Sequence, residues 1–437
     1  MVYYKEMDKY ILLKYKCKSN LNFLQLIMQL SKSKKQVIVL YISTILSVAT
    51  GVLVSILNTR SLQPEAYGDV RYVLNLIAFF SGILLVGYFV SGSRLLALAK
   101  DRQEAAELKG GLVAILCILT IVLMLIMLLC GIAHYYVLGK SCYSLFYYII
   151  PFCGNVLFLN YMNTTAQGDN NIYAIAAARL LPQIIYLIIA FVVYRYVEAT
   201  SVLLILLQNG IYFFVLGYII YLTHPSFANL KQTFRKLHNE NKRYGLQVYY
   251  GSLANVSVQY IAGITLGAFA VNNVDVGFYS LALTISAPLA TLPNVIATSY
   301  FKRFAVQHMI ETKVLVGTFM MALVSFVLFA VLITPIVGIL YSEEYGCVAV
   351  YAIFLAFAST MNGLADVYNR FLGAHGRGKD LRNSAWTSGA VAILGYTTGV
   401  YFWGIEGAIV TRILSCVVQF LMMFFFYKKY KIGCCDD

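Results

Sequence analysis

The sequence predicts an all-α integral membrane protein. Hydrophobic residues make up 60% of the 437 residues, charged residues make up 12%, and the mean hydropathy is +0.74. A soluble chain carries about 25% charged residues, because its surface has to be solvated. The chain is long enough for two soluble domains but has too little charge to cover them. The distribution of its apolar segments and of its basic residues supports the same fold class.

Twelve apolar segments approach the length of about 20 residues that a helix needs to cross a bilayer. The last two are separated by a break near Ile405. The predicted spans are residues 37–57, 70–90, 111–130, 143–163, 172–194, 201–222, 247–270, 278–299, 314–334, 346–366, 385–403 and 406–427.

The basic residues indicate how the spans are oriented. Of 33 Lys and Arg residues, 27 fall on one side of the predicted topology, which includes both termini, and Arg60, Lys140 and Arg195 lie in the opposite loops. By the positive-inside rule, both termini are predicted to be cytoplasmic. The net charge of +14 is spread over loops between spans rather than over one face of a folded domain, so we expect no nucleic-acid partner.

This topology divides the chain into five parts. We predict a basic cytoplasmic N-terminal segment, a lobe of six spans, a cytoplasmic linker, a second lobe of six spans and a cytoplasmic tail, at residues 1–36, 37–222, 223–246, 247–427 and 428–437. The N-terminal segment mixes lysines with aromatic and aliphatic residues. It fits an amphipathic helix on anionic lipid or a disordered tail equally well.

The two lobes resemble each other at a nearly constant offset of 208 residues. Equivalent loop positions carry similar residues: Ala166-Gln167-Gly168 and Ala374-His375-Gly376, Arg94 and Lys302, and Glu198 and Glu406. Since each lobe has six spans, the repeat is parallel, with its axis along the membrane normal. Such architectures place a substrate cavity between the lobes, so we predict two six-helix bundles around a central cavity.

Charges within the spans suggest what the cavity binds. Arg71, Arg179 and Arg412 lie in spans, against the single aspartate Asp366, which Arg370 is positioned to neutralise. Embedded charges are costly and usually face a cavity, and arginine binds phosphate oxygens through a planar fork. A cationic cavity favours an anionic substrate. Arg71 and Arg412 lie near span ends, so they could instead extend to the interface.

Polar residues at helical spacing extend the candidate site. Asn255 and Gln259 form an i, i+4 pair in the seventh span, Asn362 and Asp366 form one in the tenth, and Asn75 follows Arg71 by one turn. We predict that Asn75, Asn255, Gln259 and Asn362 contact the polar part of a substrate. Asp366 and Arg370 form a candidate ion pair that could couple transport to an ion.

The sequence contains no convincing motif for nucleotide binding, metal binding or catalysis. Residues 373–379 fit G-x-x-x-x-G-K, but Asp380 stands where a phosphate-binding loop needs Ser or Thr, and a membrane span precedes it. Asn163-Thr164-Thr165 fits a glycosylation acceptor on the predicted cytoplasmic side. The nine cysteines include no C-x-x-C pair, and the five histidines are scattered. We therefore expect no enzyme activity, no catalytic residue, no metal and no cofactor.

Several short motifs in a fixed order resemble the multidrug/oligosaccharidyl-lipid/polysaccharide exporter superfamily. Within it the chain is most similar to the oligosaccharide flippase or polysaccharide biosynthesis protein family, the O-antigen and capsule repeat-unit flippases. The resemblance covers residues 37–427, and the motifs that carry it are residues 59–68, 87–94, 275–282, 338–345, 371–377 and 404–408.

The resemblance implies a multi-pass protein of the bacterial inner membrane that moves an undecaprenyl-pyrophosphate-linked oligosaccharide to the outer leaflet. The polysaccharide would be O-antigen of lipopolysaccharide, or capsule. It implies alternating access of a cationic cavity, with Arg60, Arg71, Arg179 and Arg412 as candidate contacts of the pyrophosphate. Membrane lipid and the polysaccharide polymerase and chain-length proteins are the implied partners.

Two other functions stay open. A drug or small-molecule exporter of the same fold is the first alternative, although drug/cation antiporters carry carboxylates in the first or seventh span and this chain has none there. A polysaccharide polymerase or ligase is the second. Such enzymes usually have a large outer loop, whereas the outer loops here have ordinary connection lengths.

Overall fold

The protein is a bundle of long helices. A computed structural model describes residues 32–139 and 142–433, and within these ranges every regular element is helical. Most of the predicted N-terminal segment (residues 1–31), residues 140–141 and the last residues of the predicted tail (434–437) lie outside the described residues.

Eight α-helices lie in the described part of the first half of the molecule, residues 32–139 and 142–221. They are α1 (Lys32–Ser61), α2 (Pro64–Leu84), α3 (Tyr88–Ala97), α4 (Arg102–Ala133), α5 (Tyr143–Ile149), α6 (Asn155–Gly168), α7 (Ile172–Tyr196) and α8 (Ser201–Tyr221). Several begin at a side-chain cap. Asp101, Asn171 and Thr200 each accept a hydrogen bond from a backbone N–H three residues on, as N-cap residues do.

A linker helix and five further helices make up the rest. These are α9 (Leu230–Glu240), α10 (Leu246–Phe269), α11 (Val274–Phe304), α12 (Thr312–Leu340), α13 (Val348–Ala374) and α14 (Gly378–Gly433). A π-helical turn, Asn241–Gly245, joins α9 to α10. We call residues 246–433 the second half. Across the boundary α2 packs against α10 and α11, and α1 packs against α11.

The chain is a multi-pass membrane protein. Among the described residues, nine helices are long and apolar enough to cross a membrane, and two bent pairs raise the number to as many as eleven. The pair α2 and α3 is bent by 58°, and the pair α5 and α6 by 42°. The first bend lies at Val86 and Gly87, which both have positive φ. A Cβ at Gly87 would overlap the backbone of Gly245, so glycine is needed there.

The last helix is not a single span. Its 56 residues would extend about 84 Å if straight, far beyond the roughly 30 Å of a bilayer core. Gly404 interrupts it with φ 54° and ψ −131°. On either side of this residue, Gly399 faces Gly407 and Gly395 faces Thr411. The two arms of α14 therefore fold back on each other as a hairpin, and the break lies one residue from the predicted position.

Successive spans alternate in direction, so their connections form two sets. The basic end of the bundle carries residues 98–101, 169–171, 222–245, 305–311 and 375–377. The opposite end carries residues 62–63, 139, 142, 197–200, 270–273, 341–347 and 404.

Candidate functional site

A cavity of about 540 Å³ lies between the two halves. The first half contributes α1, α6 and α7 to its wall, and the second half contributes α11, α13 and α14. It reaches the basic end, since Gln167 and Ile172 flank a connection there. Its polar lining residues are Thr44, Asn163, Gln167, Arg179, Thr291, Asn294, Thr298, Asn362, Asp366, Arg370 and Gln419.

Helical periodicity explains why these residues share one cavity. Residues three or four positions apart lie on the same helix face. The polar groups recur at this spacing on three helices, at positions 163 and 167 of α6, 291, 294 and 298 of α11, and 362, 366 and 370 of α13. On α13 the series covers about 12 Å of helix length. The cavity is therefore a deep polar cleft in an otherwise apolar bundle.

Arg179 is the principal positive charge of the cavity. Its Nε donates to Asn163 Oδ1 at 2.9 Å, and its Nη1 donates to Thr44 Oγ1 at 3.4 Å. Within the described residues, no carboxylate forms an ion pair with it. A guanidinium has five N–H donors, so most of its capacity remains for a ligand. Oriented by neutral groups, Arg179 can bind an anion.

The second charged group of the cavity is an ion pair on α13. Arg370 Nε lies 3.2 Å from Asp366 Oδ2, and Asn369 donates to Asp366 Oδ1 at 2.9 Å. This pair is nearly neutral as a unit. In the described parts of the chain, two arginines and one aspartate line the cavity, and they leave a net charge of one positive unit, which comes from Arg179.

Amides and hydroxyls dominate the rest of the lining. The five amides and three threonines can each donate and accept hydrogen bonds. They are Asn163, Gln167, Asn294, Asn362 and Gln419, with Thr44, Thr291 and Thr298. Among the described residues, the cavity combines one cation that has no ion-pair partner with a neutral hydrogen-bonding surface, which suits a ligand with an acidic group and many hydroxyls.

The halves are tied together at the opposite end by contacts that we call the seal. Arg60 Nε and Nη2 donate to the carbonyl oxygens of Leu340 and Ile339, at 2.7 and 2.6 Å. These carbonyls end α12 and have no partner within the helix, so Arg60 caps it from the other half.

Tyrosines complete the seal. Tyr345 donates to the carbonyl oxygen of Leu62 at 3.1 Å, and the hydroxyls of Tyr341 and Ser55 lie 3.1 Å apart. Burial raises the pKa of the Tyr341 phenol to about 12, so it stays protonated at neutral pH. Beside them, a Cβ on Gly277 would lie 3.2 Å from the Cα of Gly68. The cavity is therefore closed toward the opposite end.

Arg71 lies in a separate pocket of about 180 Å³ near the seal. Its Nε donates to the Tyr67 hydroxyl at 2.8 Å, and its Nη2 donates to Thr284 Oγ1 at 3.2 Å, across the boundary between the halves. The polar residues of this pocket are Ser55, Asn58, Tyr67, Arg71, Gln183, Gln208, Tyr212 and Thr284.

The structure brings four of the predicted site residues into the cavity: Arg179, Asn362, Asp366 and Arg370. It places Arg60 in the seal and Arg71 in its own pocket. Arg412 lies in the second half, where its Nη1 donates to the carbonyl oxygen of Val258 at 3.1 Å.

The remaining three predicted residues lie outside both cavities. Asn75 packs directly against Gly263 of α10. Asn255 and Gln259 are exposed on one face of α10.

Sequence reasoning missed several cavity residues that a simple signal could have found. Asn163 and Gln167 are spaced i, i+4, as are Asn294 and Thr298. Asn163 was interpreted only as part of a glycosylation acceptor, and Gln167 only as a marker of the internal repeat. In the described parts of the chain, no group of three or more His, Cys, Asp or Glu side chains could hold a metal ion.

Comparison with known proteins identifies the family and the fold. The family model described as polysaccharide biosynthesis protein matches residues 33–305. No curated protein sequence matches the chain.

Among solved structures, the chain is similar to the lipid II flippase MurJ in an inward closed conformation, with a TM-score of 0.67, 14% identity and coverage of 90% of this chain and 89% of that one. It is also similar to a multidrug resistance MATE family transporter of the MOP superfamily in an inward-facing conformation. There the TM-score is 0.64, the identity 15% and the coverage 89% and 95%. At such low identity, these similarities show a shared fold.

Proposed function

Because this chain belongs to the polysaccharide biosynthesis protein family, we propose that it is a flippase for a lipid-linked oligosaccharide repeat unit. The substrate would carry its sugars on undecaprenyl pyrophosphate and move from the cytoplasmic to the outer leaflet of the bacterial inner membrane. The product would serve the assembly of a surface polysaccharide such as O-antigen or capsule. No bond is made or broken in this process.

The observation that carries the proposal is the chemistry of the cavity between the halves. Arg179 offers a cation with most of its N–H donors free, which suits a pyrophosphate. Five amides and three threonines around it suit sugar hydroxyls. A lipid II flippase is among the proteins that share the fold, and its substrate is also lipid-linked.

We further propose twelve spans in two six-helix lobes, obtained by counting each bent pair once and each arm of α14 separately. Equivalent helices of the two lobes begin at an offset close to the 208 residues of the sequence repeat. Helices α2 and α11 begin at residues 64 and 274, and helices α7 and α14 begin at residues 172 and 378. The basic end would face the cytoplasm under the positive-inside rule. The cavity would then be open to the cytoplasm.

In the mechanism that follows, the pyrophosphate enters from the basic end and replaces water at Arg179. The amides of the cavity bind the sugars, while the lipid chain stays in the bilayer. The halves then rock, so that the seal at Arg60 and Tyr345 opens and the cavity closes toward the cytoplasm. Release on the outer side would deliver the repeat unit to a polysaccharide polymerase and its chain-length partner.

The test is to locate the lipid-linked oligosaccharide in cells depleted of the protein. We expect it to accumulate in the cytoplasmic leaflet, with loss of surface polymer. Complementation with Arg179→Ala should restore membrane levels of the protein but not the polymer. Arg195→Ala is the matched control, since Arg195 lies on the same helix, exposed and outside the cavity, and it should restore both. Normal delivery to the outer leaflet in depleted cells would refute the proposal.

A further inference from the structure

A stripe of small and polar residues runs along α1 and connects the two cavities. Its members are Thr44, Ser47, Gly51, Ser55 and Asn58, which recur every three or four positions and so share one face of the helix. Thr44 lines the cavity of Arg179, while Gly51, Ser55 and Asn58 line the pocket of Arg71. The stripe covers about 21 Å of helix length.

Helix α7 makes the same connection. Arg179 lines the cavity, and Gln183, one turn further along α7, lines the Arg71 pocket. Ser47 of the stripe donates to Gln183 Oε1 at 3.4 Å. Two helices of the first half thus provide a continuous polar path from one arginine to the other.

The Arg71 pocket has the composition of an anion site. Its guanidinium uses two donors, to Tyr67 and Thr284, and within the described residues no carboxylate forms an ion pair with it. Gln183, Gln208 and Tyr212 add neutral donors to the lining. A cation in a largely desolvated place is stabilised by an anion. A volume of about 180 Å³ is several times the roughly 30 Å³ of one water molecule, enough for a phosphate group.

The pocket borders the seal. Two of its residues, Ser55 and Tyr67, contact seal residues: Ser55 lies 3.1 Å from the Tyr341 hydroxyl, and the Tyr67 ring meets the Tyr345 ring edge-on at 6.2 Å. Ser55 and Tyr67 are 2% and 1% exposed, so the pocket is walled off while the seal is intact. Separation of the halves at the seal would open this wall toward the opposite end.

We propose that the Arg71 pocket is a second anion-binding station, which receives the diphosphate of the substrate from Arg179 before release at the opposite end. This rests on the proposed flippase function and deepens it, because it divides the arginines into an entry station and an exit station. Arg179 sets the affinity of the state described here. Arg71 acts only after the halves move.

The test compares binding with transport, using geranylgeranyl diphosphate as the probe. Binding is measured on the purified protein, and transport in proteoliposomes, where an external phosphatase hydrolyses only the probe in the outer leaflet. We expect Arg179→Ala to weaken binding by about tenfold or more, the loss for a charge-assisted hydrogen bond. We expect Arg71→Ala to keep the Kd within about twofold and to slow transport by about tenfold or more.

Two control variants separate an anion site from a structural contact. Arg71→Gln keeps a side chain that can hydrogen-bond to Tyr67 and Thr284 but removes the cation, so it should transport as slowly as Arg71→Ala. Arg71→Lys keeps the charge and should retain more transport than Arg71→Ala. Thermal melting of all variants checks that they fold.

The outcomes distinguish the inference from the function on which it rests. A second station is refuted if Arg71→Ala transports normally, if it loses as much affinity as Arg179→Ala, or if Arg71→Gln transports at close to the wild-type rate. In each case the wild-type protein still moves the probe and the proposed function stands. Wild-type protein that neither binds nor moves the probe contradicts the proposed function itself.

Discussion

The two ends of the bundle use their polar side chains in different ways. At the opposite end, Arg60 and Tyr345 bond to carbonyl oxygens of the other half. At the basic end, no ion pair among the described residues joins the two halves: Lys236 of the linker pairs with Glu104, Lys109 with Asp169, and Arg377 with Asp380 within the second half. The opposite end is therefore closed by a small set of contacts between the halves, while the ion pairs of the basic end act within a half or between the first half and the linker.

Contacts beside the linker complete this comparison. Asn241 donates to the carbonyl oxygen of Val86 at 3.0 Å, and Tyr249 donates to that of Ile83 at 2.5 Å. These bonds hold α2 against the start of α10 near the basic end. The halves thus stay in contact along α2 and α10, and the cavity opens on the side of α7 and α13.

The largest effect is expected from Gly68→Val, which should force the seal apart. A Cβ at Gly68 would overlap the carbonyl group of Asn273, so the start of α2 has to move away from α11. Overpacking costs about 1–3 kcal/mol, which lowers the ratio of closed to open molecules by roughly 5- to 150-fold. The readout is native Cys142, which is 3% exposed and lies 3.7 Å from Asn273 Nδ2.

Labelling of Cys142 by a polar maleimide, quantified by peptide mass spectrometry, should rise by that factor in Gly68→Val. Gly338→Val is the control, because Gly338 lies near the same end with open space around an added Cβ. An equal rise in both variants would mean that Cys142 reports local loosening rather than opening of the seal.

A smaller effect is expected from Arg60→Ala. Two hydrogen bonds to α12 are lost, but Arg60 is exposed, so water replaces part of the interaction. A cost of about 1 kcal/mol corresponds to a roughly fivefold rise in Cys142 labelling. Arg195→Ala, at an exposed position of the same end, should leave labelling unchanged. If Arg60→Ala does the same, the tyrosines hold the seal alone.

The smallest effect is expected from Lys236→Ala at the basic end. Its pair with Glu104 is exposed and joins the linker helix to the first half, so its loss should cost about 0.2–1 kcal/mol of stability. The melting temperature should fall slightly and Cys142 labelling should not change. Increased labelling in this variant would contradict the division of roles between the two ends.

The sequence was sufficient to predict an all-helical, multi-pass membrane protein, because a bilayer requires long apolar helices and tolerates few alternatives. It also located the break at the centre of α14, where Gly404 can adopt a conformation that other residues avoid. The bends within the second and fourth spans were not predicted. A hydropathy pattern records how apolar a segment is and not the direction of its axis.

The candidate site was predicted less completely. The i, i+4 pair Asn362 and Asp366 was found from spacing and lies in the cavity with Arg179. Arg60 and Arg412 instead bond to backbone carbonyl oxygens. An arginine in an apolar segment needs a partner, but its position does not determine whether that partner is a ligand or a neighbouring helix end. Only the packing of the helices decides this.

The π-helical turn at Asn241–Gly245 has a mechanical consequence. It joins α9 and α10 into one uninterrupted helical run from Leu230 to Phe269. One end of this run is clamped to the first half by Lys236 and Glu240, and the other is embedded in the second half. Such a continuous helical run would carry a rotation of one half into the other, and its π turn is of a kind found frequently at functional sites. Rotation of one half would turn the face of α10 that carries Asn255 and Gln259.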